Sequence, residues 1–267
     1  MNMIECLHTD SKCYKAKDYC SPVGIVVHST GANNPNVKRY VQPSKSDPNY
    51  DSLIKKIGKN NNGNHWNRSV NKAVHYFIGK LADGTVGTAH VLPETICAWG
   101  VGSGKKGSYN YNPFAHIQFE VCEDGLTNAT YFNAIYNEAV ALCADICKRW
   151  GMQSSAIVSH NEAYKKGYAS NHADIDHWLK KHKKTMNDLR KDVDNILNPP
   201  KEISVGDTVQ FVGTLQYTNS GKKTGKKASP CSAVVKQIYR PTKALHPYLV
   251  KGSGVNGWVN AEDIERA

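Results

Sequence analysis

The chain of 267 residues is 40% hydrophobic and 21% charged, a composition that is typical of a globular protein and excludes a disordered one. No apolar run approaches the ~18 residues of a membrane span, and residues 1–20 lack the apolar core of a secretory signal. The formal net charge of +11 favours a polyanionic partner, although a basic surface that serves only solubility is equally open.

The first region of the chain alternates predicted strands with predicted helices. Its strands are, in chain order, Gly24–His28, Val74–Gly79, Thr85–His90, His116–Val121 and Ala156–Val158. The turn Ala82-Asp83-Gly84 joins the second and third strands as a hairpin. Apolar residues recur every three or four positions from Thr130 to Trp150, and Gly151 follows them, so this stretch is predicted as an amphipathic helix. A second helix is predicted over Asp176–Leu197, and the interleaving predicts an α/β fold with a mixed central sheet flanked by helices.

Two consecutive prolines, Pro199 and Pro200, mark a domain boundary because they end a helix and stiffen the chain. We therefore predict a first domain over residues 1–197, a linker over 198–202 and a second domain over 203–267. The second domain has short strands separated by turn-rich stretches, which predicts a small all-β barrel. Its predicted strands are Thr208–Val212, Ala233–Tyr239, Tyr248–Val250 and Gly257–Val259.

Three residues have the chemistry of a catalytic zinc site. His28 and His160 each end a predicted strand, and Asp174 lies fourteen residues after His160, across a turn that can return to the same sheet edge. Two histidines and a carboxylate would hold Zn²⁺ and leave one position open for water. Taken alone, each histidine is more often a structural residue, so the sequence leaves both interpretations open.

Two further residues could act beside such a metal. Glu120 lies in an otherwise apolar strand, where a carboxylate is costly unless it is functional, so it is a candidate general base. The alternative is a glutamate that faces a sheet edge. His172 could donate a hydrogen bond to the oxyanion that develops on a scissile carbonyl. Trp66 and Trp99 could stack on a sugar or peptide, although packing is the more common role for either residue alone.

Several ordered segments of the first domain resemble the type 2 N-acetylmuramoyl-L-alanine amidases, the zinc amidase family that also includes peptidoglycan recognition proteins and amidase-type phage lysozymes. The resemblance spans roughly residues 20–190. The segments that carry it are Val26-Val27-His28-Ser29-Thr30, Ala73-Val74-His75-Tyr76-Phe77-Ile78, Glu94-Thr95-Ile96-Cys97-Ala98-Trp99-Gly100, Asn112 with Ile117-Gln118-Phe119-Glu120, Ser159-His160, and Gly167-Tyr168-Ala169-Ser170-Asn171-His172-Ala173-Asp174.

The resemblance implies roles for the candidate residues. It matches His28, His160 and Asp174 to the zinc ligands and Glu120 to the catalytic glutamate. It implies hydrolysis of the amide between N-acetylmuramic acid and L-alanine in peptidoglycan. The chain departs from the family pattern at His172, where members often have lysine. It also departs at Val74, where some members have tyrosine, and at Gly100, where many have histidine.

The second domain resembles a bacterial SH3-type cell-wall-binding domain in Val205-Gly206-Asp207-Thr208-Val209 and Gly257-Trp258-Val259. The implied partners of the whole chain are peptidoglycan and, through the basic second domain, anionic wall polymers. We expect neither a specific nucleic acid nor a membrane span, and the oligomeric state is open. Without a visible signal, we expect synthesis in the cytoplasm and action on the bacterial cell wall after release, by a holin or by lysis. A phage lysin and a host autolysin both fit this expectation.

The sequence is also compatible with two rival functions. One is a non-catalytic peptidoglycan-binding protein on the same fold, against which the complete ligand set with Asp174 argues. The other is a nucleic-acid-binding protein, which depends on charge alone because no basic helix or aromatic-basic motif accompanies it.

Overall fold

The computed structural model describes residues 1–199, 202–239 and 244–266. The chain divides into two compact units, Met1–Pro199 and Pro200–Ala267, which we call the N-terminal and C-terminal units. The predicted linker over 198–202 includes Pro200 and Lys201, which lie outside the described residues. Among the described residues, no helix combines the length and the apolar character that crossing a bilayer requires.

The N-terminal unit contains a mixed six-stranded sheet. Its strands are β1 (Met3–Glu5), β2 (Gly24–Ser29), β3 (Tyr76–Lys80), β4 (Val86–His90), β5 (His116–Val121) and β6 (Ile157–Ser159). The order across the sheet is β1-β4-β3-β5-β2-β6. β3 and β4 form the predicted antiparallel hairpin, whereas β2 runs parallel to both β5 and β6, and β3 runs parallel to β5. The predicted mixed sheet is therefore confirmed.

Helices accompany the sheet. They are α1 (Lys12–Ala16), α2 (Tyr50–Ile57), α3 (Ala129–Trp150), α4 (His160–Lys166), α5 (Asp176–Lys181) and α6 (Met186–Leu197). The predicted long helix is confirmed as α3. Its first turn is capped by the Asn128 side chain, which accepts a hydrogen bond from the Tyr131 amide. It ends at Gly151, whose φ of 64° closes the helix in the left-handed conformation.

The central strands separate a core face from a site face. Side chains alternate along a strand, so Ile25 and Val27 of β2, like Ile117 and Phe119 of β5, pack with α3 in one core cluster. The intervening residues point to the opposite face. His28 of β2 is the register partner of Glu120 on β5, and both lie on this second face. The alternation of side chains along each strand thus places the polar residues of the site on the face opposite the apolar core.

The predicted single helix over Asp176–Leu197 is wrong. α5 ends at Lys181, and α6 begins only at Met186. Between them Lys183 adopts a positive φ of 56°, and the Thr185 side chain caps α6 in a reciprocal capping box with Asp188. The cap satisfies amide groups at the start of a new helix, which favours a break over a continuous helix.

The last predicted strand of the first region is shifted by one residue, to Ile157–Ser159. His160 therefore begins α4 and does not end a strand. Ser159 accepts a hydrogen bond from the Glu162 amide, and the Glu162 carboxylate accepts one from the Ser159 amide. This capping box fixes the start of α4 and with it the backbone of His160.

The C-terminal unit is built from short strands, with one 3₁₀ helix at Ala261–Asp263 among its described residues. Its strands are β7 (Thr208–Phe211), β8 (Leu215–Gln216), β9 (Lys226–Lys227), β10 (Cys231–Ile238), β11 (Tyr248–Gly252), β12 (Asn256–Val259) and β13 (Ile264–Arg266). Five of them form an antiparallel sheet in the order β12-β11-β10-β7-β13, and β8 pairs with β9. Val209, Phe211, Val235, Val250 and Val259 form its fully buried core.

Candidate metal centre

His28 and His160 reach one place because their strands are neighbours. His28 is the fifth residue of β2, which pairs in parallel with β6. His160 directly follows β6 as the first residue of α4. Since the carboxyl ends of parallel strands meet at one edge of the sheet, the two imidazoles converge there. Asp174 joins them from the segment that precedes α5.

The three side chains form a ligand shell of the right size for zinc. His28 Nδ1 lies 3.1 Å from His160 Nδ1 and 3.2 Å from Asp174 Oδ2. His160 Nδ1 lies 3.6 Å from the same carboxylate oxygen. Ligands ~2.0–2.1 Å from a tetrahedral Zn²⁺ are about 3.3 Å apart. All three residues are buried, and their donor set of two nitrogens and one oxygen suits this ion.

Hydrogen bonds on the far side of each imidazole assign its tautomer. His28 Nε2 lies 3.3 Å from Gln118 Oε1, and His160 Nε2 lies 3.1 Å from the Ser170 carbonyl oxygen. Both oxygens can only accept, so each Nε2 carries the proton and donates it. The two Nδ1 lone pairs therefore face each other and the carboxylate. A cation between them removes this repulsion, so the residues fit a bound metal.

The orientation of Gln118 is itself fixed by the backbone. Asn110 Oδ1 accepts hydrogen bonds from the Gly100 and Val101 amides at 3.2 Å. Gln118 Nε2 donates to the same Asn110 oxygen at 2.9 Å, which turns Gln118 Oε1 toward His28. Gln118 is fully buried. A chain of hydrogen bonds thus runs from the backbone at residues 100–101 to the candidate ligand His28.

The protonation states of the ligands also suit a metal. Burial alone would raise the pKa of the Asp174 carboxyl, but the adjacent imidazoles of His160 and His28 outweigh it and hold this pKa well below its usual value. Burial lowers the pKa of the His28 imidazole, and the contact with Asp174 does not restore it. The site therefore favours an ionised carboxylate beside a neutral imidazole, the forms that bind metals.

Glu120 supplies a carboxylate without a partner. Its Oε2 is buried and has no hydrogen-bond partner within the described residues. Burial raises its pKa well above the usual value, and the negative charge of Asp174 raises it further. The alternative of an edge-facing glutamate is wrong, because β5 lies in the interior of the sheet between β3 and β2. A carboxylate with a raised pKa beside a metal shell has the properties of a general base.

One cavity of about 480 Å³ connects these groups. Its lining includes the three ligands, Glu120, Trp66, Lys72 and His172. The predicted Trp66 thus reaches the site. The Lys72 ammonium lies 4.5 Å above the centre of the Trp66 ring, a cation–π contact that holds the lysine at the cavity wall.

Residues 18–177 match the family model described as N-acetylmuramoyl-L-alanine amidase. The chain belongs to this family. Among solved structures, the Staphylococcus aureus hydrolase AmiA in complex with its ligand is 16% identical, with a TM-score of 0.47 over 74% of this chain and 83% of that chain. The PlyG catalytic domain is 15% identical, with a TM-score of 0.46 over 76% of this chain and 100% of its own. A mutant endolysin from Bacillus subtilis is 15% identical, with a TM-score of 0.44 over 72% and 99%. None of the curated proteins compared with the chain matches it in sequence.

His172 lies at the open side of the amidase site. Its Nδ1–H donates to Asp174 Oδ1 at 3.0 Å, and its ring stacks on His160 with the ring centres 5.0 Å apart. Its side chain is 65% exposed. The neutral ring therefore presents an accepting Nε2 to the cavity, and only the protonated ring can donate there.

Trp99 does not join the amidase cavity. It packs instead against a separate core cluster that contains Ile96 and Ala98, and its contact with substrate stays a prediction. Two residues of the site, Gln118 and Lys72, were not predicted from the sequence. Gln118 stands two positions before Glu120 and shares its strand face, a signal that alternation alone could have given. Lys72 precedes β3 in an irregular segment and carries no such signal.

Proposed function

We propose that the protein hydrolyses the amide between N-acetylmuramic acid and L-alanine in peptidoglycan with water activated by Zn²⁺. His28, His160 and Asp174 would hold the ion. The observation that carries the proposal is a buried shell of three ligand atoms, 3.1–3.6 Å apart. Beside it in one cavity lies Glu120, whose buried Oε2 has no hydrogen-bond partner among the described residues. Membership of the amidase family assigns the bond that is cut. When bound, zinc polarises the carbonyl and lowers the pKa of water.

Glu120 carries the proton in this reaction. As the ionised base it accepts a proton from the attacking water, whose oxygen forms a bond to the carbonyl carbon. The C–N bond then breaks, and Glu120 returns the proton to the nitrogen of the leaving L-alanine. Its raised pKa brings the acid and base forms closer in energy near neutral pH, which both transfers require.

Two side chains supply positive charge to the developing oxyanion. Among the described residues that line the cavity, Lys72 is the only lysine or arginine, and its contact with Trp66 limits its motion. His172 donates from Nε2 in its protonated form, with Asp174 holding the ring by the opposite nitrogen. Donors that are placed in advance near the oxyanion lower the barrier without reorganising during the reaction.

The proposal is tested with Glu120→Gln, which keeps the shape of the side chain but cannot accept the proton. We expect the variant to retain one zinc ion per chain. Its rate of amine release from purified peptidoglycan should be about 10²–10⁴-fold lower than that of wild type. His65→Gln serves as a control, because His65 belongs to a different cavity. Full activity of Glu120→Gln with bound zinc would contradict the assigned role.

We also propose that the C-terminal unit is an SH3-like domain that binds the cell wall. The antiparallel sheet supports this, as do ten Lys and Arg residues against five Asp and Glu in residues 200–267. A second weak contact raises the local concentration of the catalytic site on an insoluble polymer. Replacing four lysines of this unit with glutamine tests the charge: Lys222, Lys223, Lys226 and Lys227. The full-length variant should sediment less with purified walls at low salt, and unchanged sedimentation would refute the charge-based contact.

A further inference from the structure

Asp174 differs from the other two candidate ligands in how its backbone is held. His28 belongs to β2, and His160 begins α4 behind a capping box. Asp174 lies between α4 and α5, outside any helix or strand. A ligand on a loop is held less precisely than one on a regular element, and ordering the loop costs conformational entropy. The position of Asp174 therefore depends on contacts that its neighbours in the chain make.

Asp176 joins the loop to the residues that flank His160. Its Oδ2 accepts a hydrogen bond from Ser159 Oγ at 3.2 Å and a second one from Asn161 Nδ2 at 2.7 Å. The same Ser159 hydroxyl caps α4, so its own position is fixed. One carboxylate therefore connects the chain two positions after Asp174 to the backbone on both sides of the second ligand.

His177 joins the loop to the opposite side of the site. Its Nε2 lies 2.9 Å from Glu123 Oε1, and its Nδ1 lies 3.4 Å from the Ala173 carbonyl oxygen. An ionised carboxylate and a carbonyl only accept, so both ring nitrogens carry protons and the ring is a cation. Since Ala173 directly precedes Asp174, the ring holds the backbone on the other side of the ligand.

Glu123 gives His177 a rigid support. Its side chain is 4% exposed, and its Oε1 accepts no well-aligned hydrogen bond among the described residues, so the charge of His177 compensates this buried oxygen. The Glu123 amide donates to Thr30 Oγ1 at 3.1 Å, and its carbonyl oxygen accepts from the Asn34 amide at 2.9 Å. The ion pair therefore connects the loop to the sheet edge where β2 and β5 end.

These contacts leave the carboxylate of Asp174 available. Its Oδ2 faces the imidazoles of His28 and His160, and its Oδ1 accepts from His172. In the described part of the chain, neither Asp176 nor His177 bonds to either oxygen. Both act on the backbone around the ligand, and both contacts form whether or not an ion is bound.

We propose that Asp176 and His177 are positioning residues that hold Asp174 where the metal shell requires it, an inference that rests on the metal site of the proposed function. Because the loop is ordered by these side chains, zinc binding does not have to order it. Loss of either contact weakens zinc binding although all three ligands remain. A purely structural role would instead lower the stability and leave zinc affinity unchanged.

The test removes each contact separately. Asp176→Ala removes the acceptor of the first contact, whereas Asp176→Asn keeps an oxygen that can accept both hydrogen bonds. Glu123→Gln and His177→Ala, made together, remove the second contact without leaving the Glu123 charge buried and unpaired. Zinc affinity is measured by competition with a chelator, and the free energy of unfolding is measured in urea without zinc.

Glu94→Gln is the matched control. The Glu94 carboxylate accepts hydrogen bonds from Tyr76 and Trp150, each at 2.7 Å, and pairs with Arg149. Glu94 is not among the described residues that line the metal cavity. The control should therefore lose unfolding free energy, as the two contact-removing variants do, and keep its zinc affinity.

We expect the dissociation constant for zinc to rise about 10-fold in Asp176→Ala and in the double variant, and to stay within about two-fold of wild type in Asp176→Asn and in the control. With saturating zinc, Asp176→Ala should recover the wild-type kcat, because every ligand and Glu120 are intact. Wild-type zinc affinity in a contact-removing variant would overturn the role of that contact. An equal loss of affinity in the control would overturn both.

Hydrogen exchange of the zinc-free proteins separates this inference from the proposed function. The Trp178 and Leu179 amides donate to the Ile175 carbonyl oxygen at 3.0 and 3.2 Å, so their exchange reports local opening beside Asp174. Both amides should exchange faster in the contact-removing variants than in wild type and the control. If wild type binds no zinc, the proposed function fails, and the exchange then decides. Faster exchange confined to the contact-removing variants supports the positioning role, and equal exchange in all proteins refutes it.

Discussion

Replacing Gln118 with methionine should weaken zinc binding without touching a ligand. In the wild type, Gln118 Oε1 accepts the hydrogen bond from His28 Nε2 at 3.3 Å. Methionine fills a similar volume but offers no comparable acceptor. The His28 proton then has no partner on that side and can move to Nδ1, where it blocks the metal. The variant therefore tests whether the orientation of His28 affects zinc binding while all three ligand residues stay unchanged.

The expected loss follows from the position of Gln118. Partners that orient metal-binding histidines contribute about 10–100-fold to metal affinity, or about 1.4–2.7 kcal/mol. The buried His28 N–H also loses its hydrogen bond, which costs about 1–3 kcal/mol of unfolding free energy. The free energy of unfolding should fall in the zinc-free protein, and it should fall further when zinc is present at a fixed concentration.

The assay is a competition titration of zinc between each protein and a chelator, combined with urea unfolding with and without zinc. Gln42→Met is the control, because Gln42 is also buried and hydrogen-bonded but lines a different cavity. It should lose a similar unfolding free energy and keep its zinc affinity. If Gln118→Met binds zinc within two-fold of wild type, or if Gln42→Met loses as much affinity, the argument from ligand orientation is refuted.

Three further predictions concern charge. Glu120 must be ionised to accept a proton, and burial raises its pKa, so amidase activity should fall on acidification at a pH above the range of an ordinary glutamate. The charge of Lys72 lowers the pKa of Glu120, so Lys72→Met should move this acid limb of the pH–rate profile to higher pH. Lys72→Arg keeps the charge and should leave the limb in place. An unmoved limb in the methionine variant would contradict the coupling between Lys72 and Glu120. Arg190→Met breaks the two-point ion pair with Glu162 and should lower the unfolding free energy by about 1–3 kcal/mol, measured by urea denaturation. Lys191→Met changes an exposed residue of the same helix and should change the unfolding free energy by less than about 0.5 kcal/mol. Equal losses of unfolding free energy in the two variants would show that the ion pair contributes nothing.

The sequence predicts the central strands well because burial on both faces leaves a readable apolar run. β2 and β5 are found within one residue of their predicted bounds. The start of α4 was not predicted, although Ser159 followed by Glu162 three positions later has the form of a capping box that indicates a helix start. The break between α5 and α6 was harder to predict, because the polar residues around Thr185 also suit the exposed face of a helix.

The site depends on contacts that no local pattern contains. His28 and His160 are 132 positions apart, and only the parallel pairing of β2 with β6 brings them together. The sequence supplied each candidate ligand, and the family resemblance grouped them. Lys72 reaches the cavity through its contact with Trp66, a tertiary contact that neither period nor motif encodes. Residues on regular strands were therefore easier to assign than those on loops.

Under the proposed function, a metal held by His28, His160 and Asp174 is required for cleavage of one particular amide. The most direct measurement is mass spectrometry of purified peptidoglycan digested by metal-stripped protein and by the same protein after one equivalent of Zn²⁺ is restored. We expect fragments with a free L-alanine amino group and an intact N-acetylmuramic acid carboxylate, formed only after zinc is restored. Equal release of these fragments by the metal-stripped protein, or cleavage at another bond, would contradict it.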